Sequence, residues 1–198
     1  LKGTVFSNIL RDASISGIDP KNIVDASTWL RSRAAEEKTT DPSRLIKLNS
    51  DRGRTAVLTG QMYLFNYDAK HKDTLPYYDR YPLIFPFKKV KDGFLGLNLH
   101  YLPYPYRAIL MDNLYPLLNN DKMNETTRLR ISYSILDRTS KLKYFAPCVK
   151  HYLNKHIKSR FIYISPDEWN IALFLPLQRF NTNVTNVYRD SKNIIKRR

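Results

Sequence analysis

The stretch Leu83-Ile84-Phe85-Pro86-Phe87-Lys88-Lys89-Val90, Lys91-Asp92-Gly93, Phe94-Leu95-Gly96-Leu97-Asn98-Leu99-His100-Tyr101 reads as two strands around a tight turn. Asp-Gly is a strong hairpin signal. In the second run Leu95, Leu97, Leu99 and Tyr101 alternate with Gly96, Asn98 and His100. Side chains on a strand point to opposite faces in turn. The leucines therefore share one face, and His100 is expected on the solvent side. Pro86 has no N–H to give a neighbour, which makes the first run an edge strand or places a bulge in it. Upstream, Val57, Met62, Leu64, Phe65 and Tyr67 support a further strand of about ten residues ending at Asp68. Antiparallel strands with Pro and Gly inside them predict a small twisted sheet or a partly open barrel.

Helical patterns flank this β region, so the fold class is α+β. Residues 103–118 begin with Pro103 and Pro105 and carry Ile109, Leu110, Leu114, Leu117 and Leu118 as one stripe, with Pro116 expected to bend or end the helix. Residues 126–139 form another helix with Leu129, Tyr133 and Leu136 on one face, and a short third helix is expected over 149–156. A brief strand follows at 161–164. Ser165-Pro166-Asp167-Glu168 then has the form of a helix start, with Ser165 as N-cap and Glu168 completing a capping box; Trp169, Ala172 and Leu173 face inward.

Residues 1–53 read as a helical arm. It holds a short helix near 7–13 and a second opened by Asp19-Pro20, with Ile23, Val24, Trp29 and Leu30 on its apolar side. Residues 54–180 are the core domain, and 181–198 are a basic tail ending Lys196-Arg197-Arg198.

The chain has 198 residues, of which 42% are hydrophobic, enough for one domain with a true core. Its 33 Lys and Arg against 18 Asp and Glu give +15, and the excess rises from +2 in the first fifty residues to +6 in the last forty-eight. Such a balance speaks of partners, not of fold. It points to a polyanion; the bland alternative is a merely basic surface. Basic residues cluster as Lys88, Lys89 and Lys91 at the hairpin tip, as Arg128 and Arg130 with Arg138, Lys141 and Lys143, and as Lys150, His151, Lys155, Lys158 and Arg160. Backbone phosphates are the expected ligands of Lys88, Lys89, Lys91, Arg128, Arg130, Lys141, Lys143, Lys155, Lys158, Arg160, Lys196, Arg197 and Arg198.

The Tyr-rich stretch Leu75-Pro76-Tyr77-Tyr78-Asp79-Arg80-Tyr81-Pro82 has two readings. Its rings either pack onto the β core, or Tyr77 and Tyr78 stack on exposed bases with Arg80 on a phosphate. Packing demand beside a strand entry favours the first.

Signals for catalysis are weak. Asp167 with Asp190-Ser191-Lys192 loosely fits a Mg²⁺-dependent nuclease, but Asp167 belongs to a helix cap and Asp190 to a polar tail. His71, His100, His151 and His156 show no metal-ligand spacing. Six glycines form no phosphate-binding loop, and the single Cys148 supports neither a disulfide nor a thiolate site. No cofactor, metal, small-molecule substrate or membrane is expected as a partner. No run approaches the ~20 apolar residues of a membrane span. No signal peptide is visible, and the opening at Leu1 leaves room for residues upstream.

Three segments together carry a family resemblance: Gly60-Gln61-Met62-Tyr63-Leu64-Phe65-Asn66-Tyr67, Leu75-Pro76-Tyr77-Tyr78-Asp79-Arg80-Tyr81-Pro82-Leu83, and Gly93-Phe94-Leu95-Gly96-Leu97-Asn98-Leu99-His100-Tyr101-Leu102-Pro103. This segment, roughly 55–118, resembles the DNA end protector family of T-even-like contractile-tailed phages. The resemblance implies a non-enzymatic virion protein, present in a few copies at the head–tail junction. There it would bind the terminus of packaged double-stranded DNA, shield it from exonuclease and contact neck, portal or tail proteins. The DNA-contacting residues named above come from charge alone. The runner-up is a structural neck or baseplate protein whose basic face meets acidic subunits; a Mg²⁺-dependent nuclease is third.

Overall fold

The computed structural model describes residues 5–18, 23–37, 40–118 and 122–196. The hairpin forms inside an antiparallel sheet. Strand β3 is Leu83–Val90 and β4 is Gly93–Asn98. With β1 (Gly53–Arg54), β2 (Met62–Leu64), β5 (Val149–Leu153) and β6 (Phe161–Ile164), the order is β1-β6-β2-β3-β4-β5. The sheet is open, with β1 and β5 at its edges. The class is α+β, as the helical patterns flanking the β region predicted.

Pro86 makes a bulge rather than an edge. Strand β3 is internal, paired with both β2 and β4, and its register to β4 shifts between Pro86 and Lys88. The long strand expected before Asp68 shortens to three residues. Gly60 turns with φ +82° and donates its N–H to the Pro86 carbonyl at 3.1 Å, so β2 begins only at Met62.

The hairpin turn is displaced by one residue from the expected Asp-Gly. Val90 pairs with Gly93, which leaves Lys91 and Asp92 as the loop. Glycine is needed at 93 for space: a Cβ there would stand 1.9 Å from the Tyr152 carbonyl oxygen of β5. Gly93→Ala is therefore expected to push β5 off β4 and to cost about 2–3 kcal/mol, in the range for overpacking. Hydrogen exchange at β5 amides, compared with β6 amides, checks this: the loss of protection should be confined to β5.

Residues 149–156 are not the helix expected. Val149–Leu153 is strand β5, and Asn154–His156 is a single 3-10 turn. Val149, Tyr152 and Leu153 suit a strand, and the open side of β4 offers five paired positions. Period two also ends earlier than expected. Leu99–Tyr101 is a 3-10 turn capped by Asn98, whose side chain accepts from the His100 N–H at 2.9 Å. That turn carries His100 into the interior, where it is wholly buried, not to solvent.

Helices cover one face of the sheet. They are α1 (Val5–Ile15), α2 (Ile23–Glu36), α3 (Pro42–Leu48), α4 (Tyr104–Leu118), α5 (Glu125–Lys141), α6 (Trp169–Phe174) and α7 (Val184–Lys196). Helix α4 continues through Pro116. Of its stripe Leu110 and Leu114 are buried while Ile109 is exposed; on α5, Leu136 is buried and Tyr133 exposed. Met62, Leu64, Phe85, Leu97 and Ile162 of the sheet join Trp169, Leu173 and Val187 in one core. Trp169 meets Phe85 edge-on at 4.7 Å and donates its indole N–H to the Ile164 carbonyl at 2.9 Å.

The segment read as an arm adds Phe6, Ile9, Ala13, Leu30, Ala34 and Leu45 to this core. Asp19 and Pro20 lie outside the described residues. Residues 184–196, read as tail, are helix α7, with Val187 buried. At the predicted capping box, Ser165 donates both its N–H and its hydroxyl to Glu168, at 3.0 and 2.7 Å, and Arg52 pairs with the same carboxylate. No described helix is long and apolar enough to cross a membrane.

The other sheet face is aromatic. Tyr63, Phe65, Tyr67, Phe94, Tyr152 and Phe161 form a second core there. Phe65 stands edge-on to Phe161 at 5.0 Å and to Tyr152 at 5.4 Å. Such contacts add about 0.5–1.5 kcal/mol each beyond area burial.

Candidate nucleic-acid interface

After β2 the chain crosses the aromatic face as a long loop, 66–82. Tyr67 donates its N–H to the Arg80 carbonyl at 2.9 Å, and its hydroxyl accepts from the Leu153 N–H at 3.3 Å, which ties the loop to the edge strand β5. Tyr77 leans on Tyr101 and Phe180, with ring centres 6.2 and 6.3 Å away. The Tyr78 N–H donates to Asn181 Oδ1 at 3.0 Å. Both tyrosines keep part of their surface, so the packing role and the stacking role are compatible.

Asp79 holds the loop from below. Its Oδ1 accepts the backbone N–H groups of Tyr81 and Arg179, and its Oδ2 accepts Asn98 Nδ2 and lies 2.6 Å from His100 Nδ1. Burial alone would raise the Asp79 pKa; the contacts with His100, Asn98 and the Arg179 backbone outweigh it and hold the carboxyl below its ordinary value. Burial lowers His100. The Asp79 carboxylate pulls the other way, but the Arg107 and Arg179 cations add to the lowering. The pair is thus a neutral imidazole donating Nδ1–H to an ionised carboxylate.

Stability therefore depends on pH. Above the ordinary histidine value of 6.5 both folded and unfolded states hold a neutral ring. As pH falls below it, the unfolded state binds the proton first, so stability is lost down to the lowered folded value. Asp79 contributes stability above the ordinary 3.8, lost as pH falls through its lowered value. The urea midpoint is expected to drop between pH 7.5 and 5.5, and His100→Gln should remove most of that difference. An unchanged slope in the variant would assign it to other groups.

Between the loop and β5 lies a cleft of about 480 Å³ lined by Tyr67, Tyr77, Tyr78, Tyr101, Tyr152, Lys70 and Lys150, with His71, His151 and Asp79. A second hollow shares Lys70 and Leu153 with it and adds Lys91, Asp92, Lys155 and His156. A third shares Asn154 with the second and adds Arg54, Lys158 and Arg160. Through these shared lining residues the three adjoin one another, as a trough from the loop and β5, past the β3–β4 turn, to Arg54 of β1 and the start of β6. Lys70, Lys91, Lys155, Lys158 and Arg160 are exposed in it. Lys150 is half-buried, its ammonium 4.0 Å above the Tyr101 ring, and among the described residues no carboxylate lies within ion-pair distance. Burial holds Lys150 below the ordinary lysine value and pushes the Cys148 thiol up to about 12, leaving the thiol neutral.

The trough gathers four of the basic residues nominated from sequence: Lys91, Lys155, Lys158 and Arg160. Lys88 and Lys89 are exposed on β3, opposite Leu95 and Phe94. Arg128 and Arg130 sit on α5 and line separate hollows, the first with Gln61, Tyr163 and Trp169, the second with Thr59, Phe87 and Tyr133. Lys141 pairs with Asp137 at 2.6 Å, and Lys143 is exposed beyond the helix. Lys196 ends α7; Arg197 and Arg198 lie outside the described residues. Lys70, Arg54 and His156, which were not nominated, line the trough as well, as do Lys150 and His151. The β character of 149–153 was the signal that would have set Lys150 and Tyr152 on the tyrosine face.

The acidic pair weighed for metal does not converge on one cleft. Asp167 is exposed in the 3-10 turn after β6, and Asp190 is on α7 beside Arg189 at 3.7 Å. No cluster of three or more potential metal ligands occurs among the described residues. His156 Nδ1 is taken by the Asp68 carbonyl at 2.9 Å.

Searches among curated proteins and solved structures returned no match. A family model described as phage T4 terminal DNA protecting protein matches residues 34–196. The match extends well beyond the segment 55–118 that carried the resemblance. It takes in the sheet, the tyrosine loop and the whole trough, and on that span the chain belongs to the phage T4 terminal DNA protecting protein family.

Proposed function

We propose that this chain is a non-enzymatic virion protein that holds the terminus of packaged double-stranded DNA at the head–tail junction and keeps exonuclease from it. The observation that carries the reading is the trough: three adjoining hollows lined by basic residues, one of them walled by tyrosines. Phosphates along the duplex meet Lys91, Lys155, Lys158 and Arg160 without reading sequence. The rings of Tyr77 and Tyr78 then stand where the duplex stops and a base face is open for stacking. Strand ends, not duplex interiors, offer that face.

Seating at the neck would use other surfaces. Tyr104 and Ile109 of α4, with Leu142 and Tyr144 after α5, remain exposed, and Tyr144 stacks on Tyr106 at 5.1 Å. These groups suit an apolar contact with a neck, portal or tail subunit.

The test compares blunt linear duplex with covalently closed duplex at ~50 and ~200 mM salt, with Mg²⁺ present and a processive exonuclease added afterwards. Tighter binding to open ends, resistance of those ends to digestion and intact DNA without exonuclease are expected. Absence of binding at low salt would leave a structural protein whose basic face meets acidic subunits.

A further inference from the structure

The tyrosine-walled hollow differs from the rest of the trough in two ways, its cation and its walls. One of its two lysines, Lys150, is half-buried and has no carboxylate partner among the described residues, whereas the other lysines of the trough stand in solvent. Its walls are rings, Tyr67, Tyr77, Tyr78, Tyr101 and Tyr152. Its volume of about 480 Å³ lies in the range that takes a group of small-molecule size. One unpaired nucleotide is a group of that size, whereas a base-paired duplex is larger.

Its one carboxylate does not oppose an anion freely. Asp79 is buried and already accepts two hydrogen bonds at each oxygen. The cations that face the space are Lys70 and Lys150, with His71 and His151 beside them.

We propose that this cleft takes the terminal nucleotide of one strand, its base against Tyr77 and Tyr78 and its terminal phosphomonoester on Lys150, so that the protein distinguishes phosphorylated ends from hydroxyl ends. The proposal rests on the end-binding reading above. A phosphomonoester is the natural ligand for such a lysine. It carries up to two negative charges near neutral pH, with a second pKa of about 6, and three acceptor oxygens. An internal phosphodiester carries one charge and cannot leave the backbone path to enter a cleft. Release of the terminal base from its partner breaks stacking on one side only, and the tyrosine rings replace that stacking.

The experiment measures binding of four short duplexes by the full chain: blunt with both ends hydroxyl, blunt with 5′-phosphate, blunt with 3′-phosphate, and covalently closed at both ends. One of the two phosphorylated duplexes is expected to bind about tenfold or more tighter than the hydroxyl duplex, the increment of a charge-assisted hydrogen bond. Lys150→Met should abolish that ratio while Lys150→Arg keeps it, with thermal melting of both variants confirming that they fold. A terminal mismatch, which removes the pairing cost, should strengthen binding of the preferred duplex. Equal binding of phosphorylated and hydroxyl ends, all tighter than the closed duplex, would overturn the proposal and leave end protection standing. Equal binding of open and closed duplexes would overturn both. A phosphate ratio unchanged in Lys150→Met would move the phosphate elsewhere in the trough and defeat the assignment.

Discussion

Arg107→Met is expected to lower unfolding free energy by about 4 kcal/mol. Arg107 is wholly buried. Its guanidinium donates to the carbonyls of Leu102 and Leu173 at 2.8 Å, to that of His100 at 3.3 Å and to the Tyr188 hydroxyl at 3.1 Å, and it stacks 4.6 Å from the Tyr104 ring centre. One side chain of α4 thus ties together the 99–101 turn, the end of α6 and helix α7. Methionine matches much of the volume but leaves the acceptors unpaired. Three of these are backbone carbonyls, which no compensating mutation can remove. Each buried acceptor left without a partner costs about 1–3 kcal/mol, and total stabilities of domains are only about 5–15 kcal/mol. Urea denaturation at pH 7.5 measures the loss. Arg107→Lys should fall between, because a single ammonium cannot reproduce the fork. A loss under about 1 kcal/mol would mean that water reaches these carbonyls.

Replacing Lys91, Lys155, Lys158 and Arg160 together by Gln is expected to reduce the salt dependence of duplex binding by about 3 to 4 in log affinity per log salt, at roughly 0.9 for each phosphate that is no longer neutralised. The matched control replaces Arg130, Arg138, Lys141 and Lys143, four cations on and just after α5. Both variants change net charge equally. If binding tracks net charge alone, their slopes will fall together. If the trough holds the backbone, only the first falls steeply, and the second stays within about one unit of the parent. The two sets lie on different elements, so a change in one does not disturb the packing of the other.

Local chemistry is legible where a short stretch carries its own instructions. Ser165-Pro166-Asp167-Glu168 sets a helix start because cap and backbone meet within four residues. The alternation of Leu95 and Leu97 sets a strand because the pleat has period two. Strand 161–164 and the helices near 103–118 and 126–139 follow from apolar spacing in the same way. The tyrosine stretch is distinctive by composition, and its rings do line a cleft.

What stays hidden in the sequence depends on distant partners. Residues 149–156 have a pattern compatible with helix or strand, and the free edge of β4, more than fifty residues upstream, decides for strand. His100 continues the alternation on paper, yet Asp79 draws it into the interior from twenty-one residues away. The clusters of basic residues look alike as sequence. Tertiary structure separates those on α5 from those around the 154–160 turn, and brings Lys70 beside Lys150. Sequence by itself determined the α+β class, the central hairpin, the capped helix start and a charge suited to polyanion, because composition and short-range periodicity act within a few residues. Only the tertiary structure decided which charges share a surface and which polar groups are buried, because a site's field depends on through-space distance, and chain separation does not determine that distance.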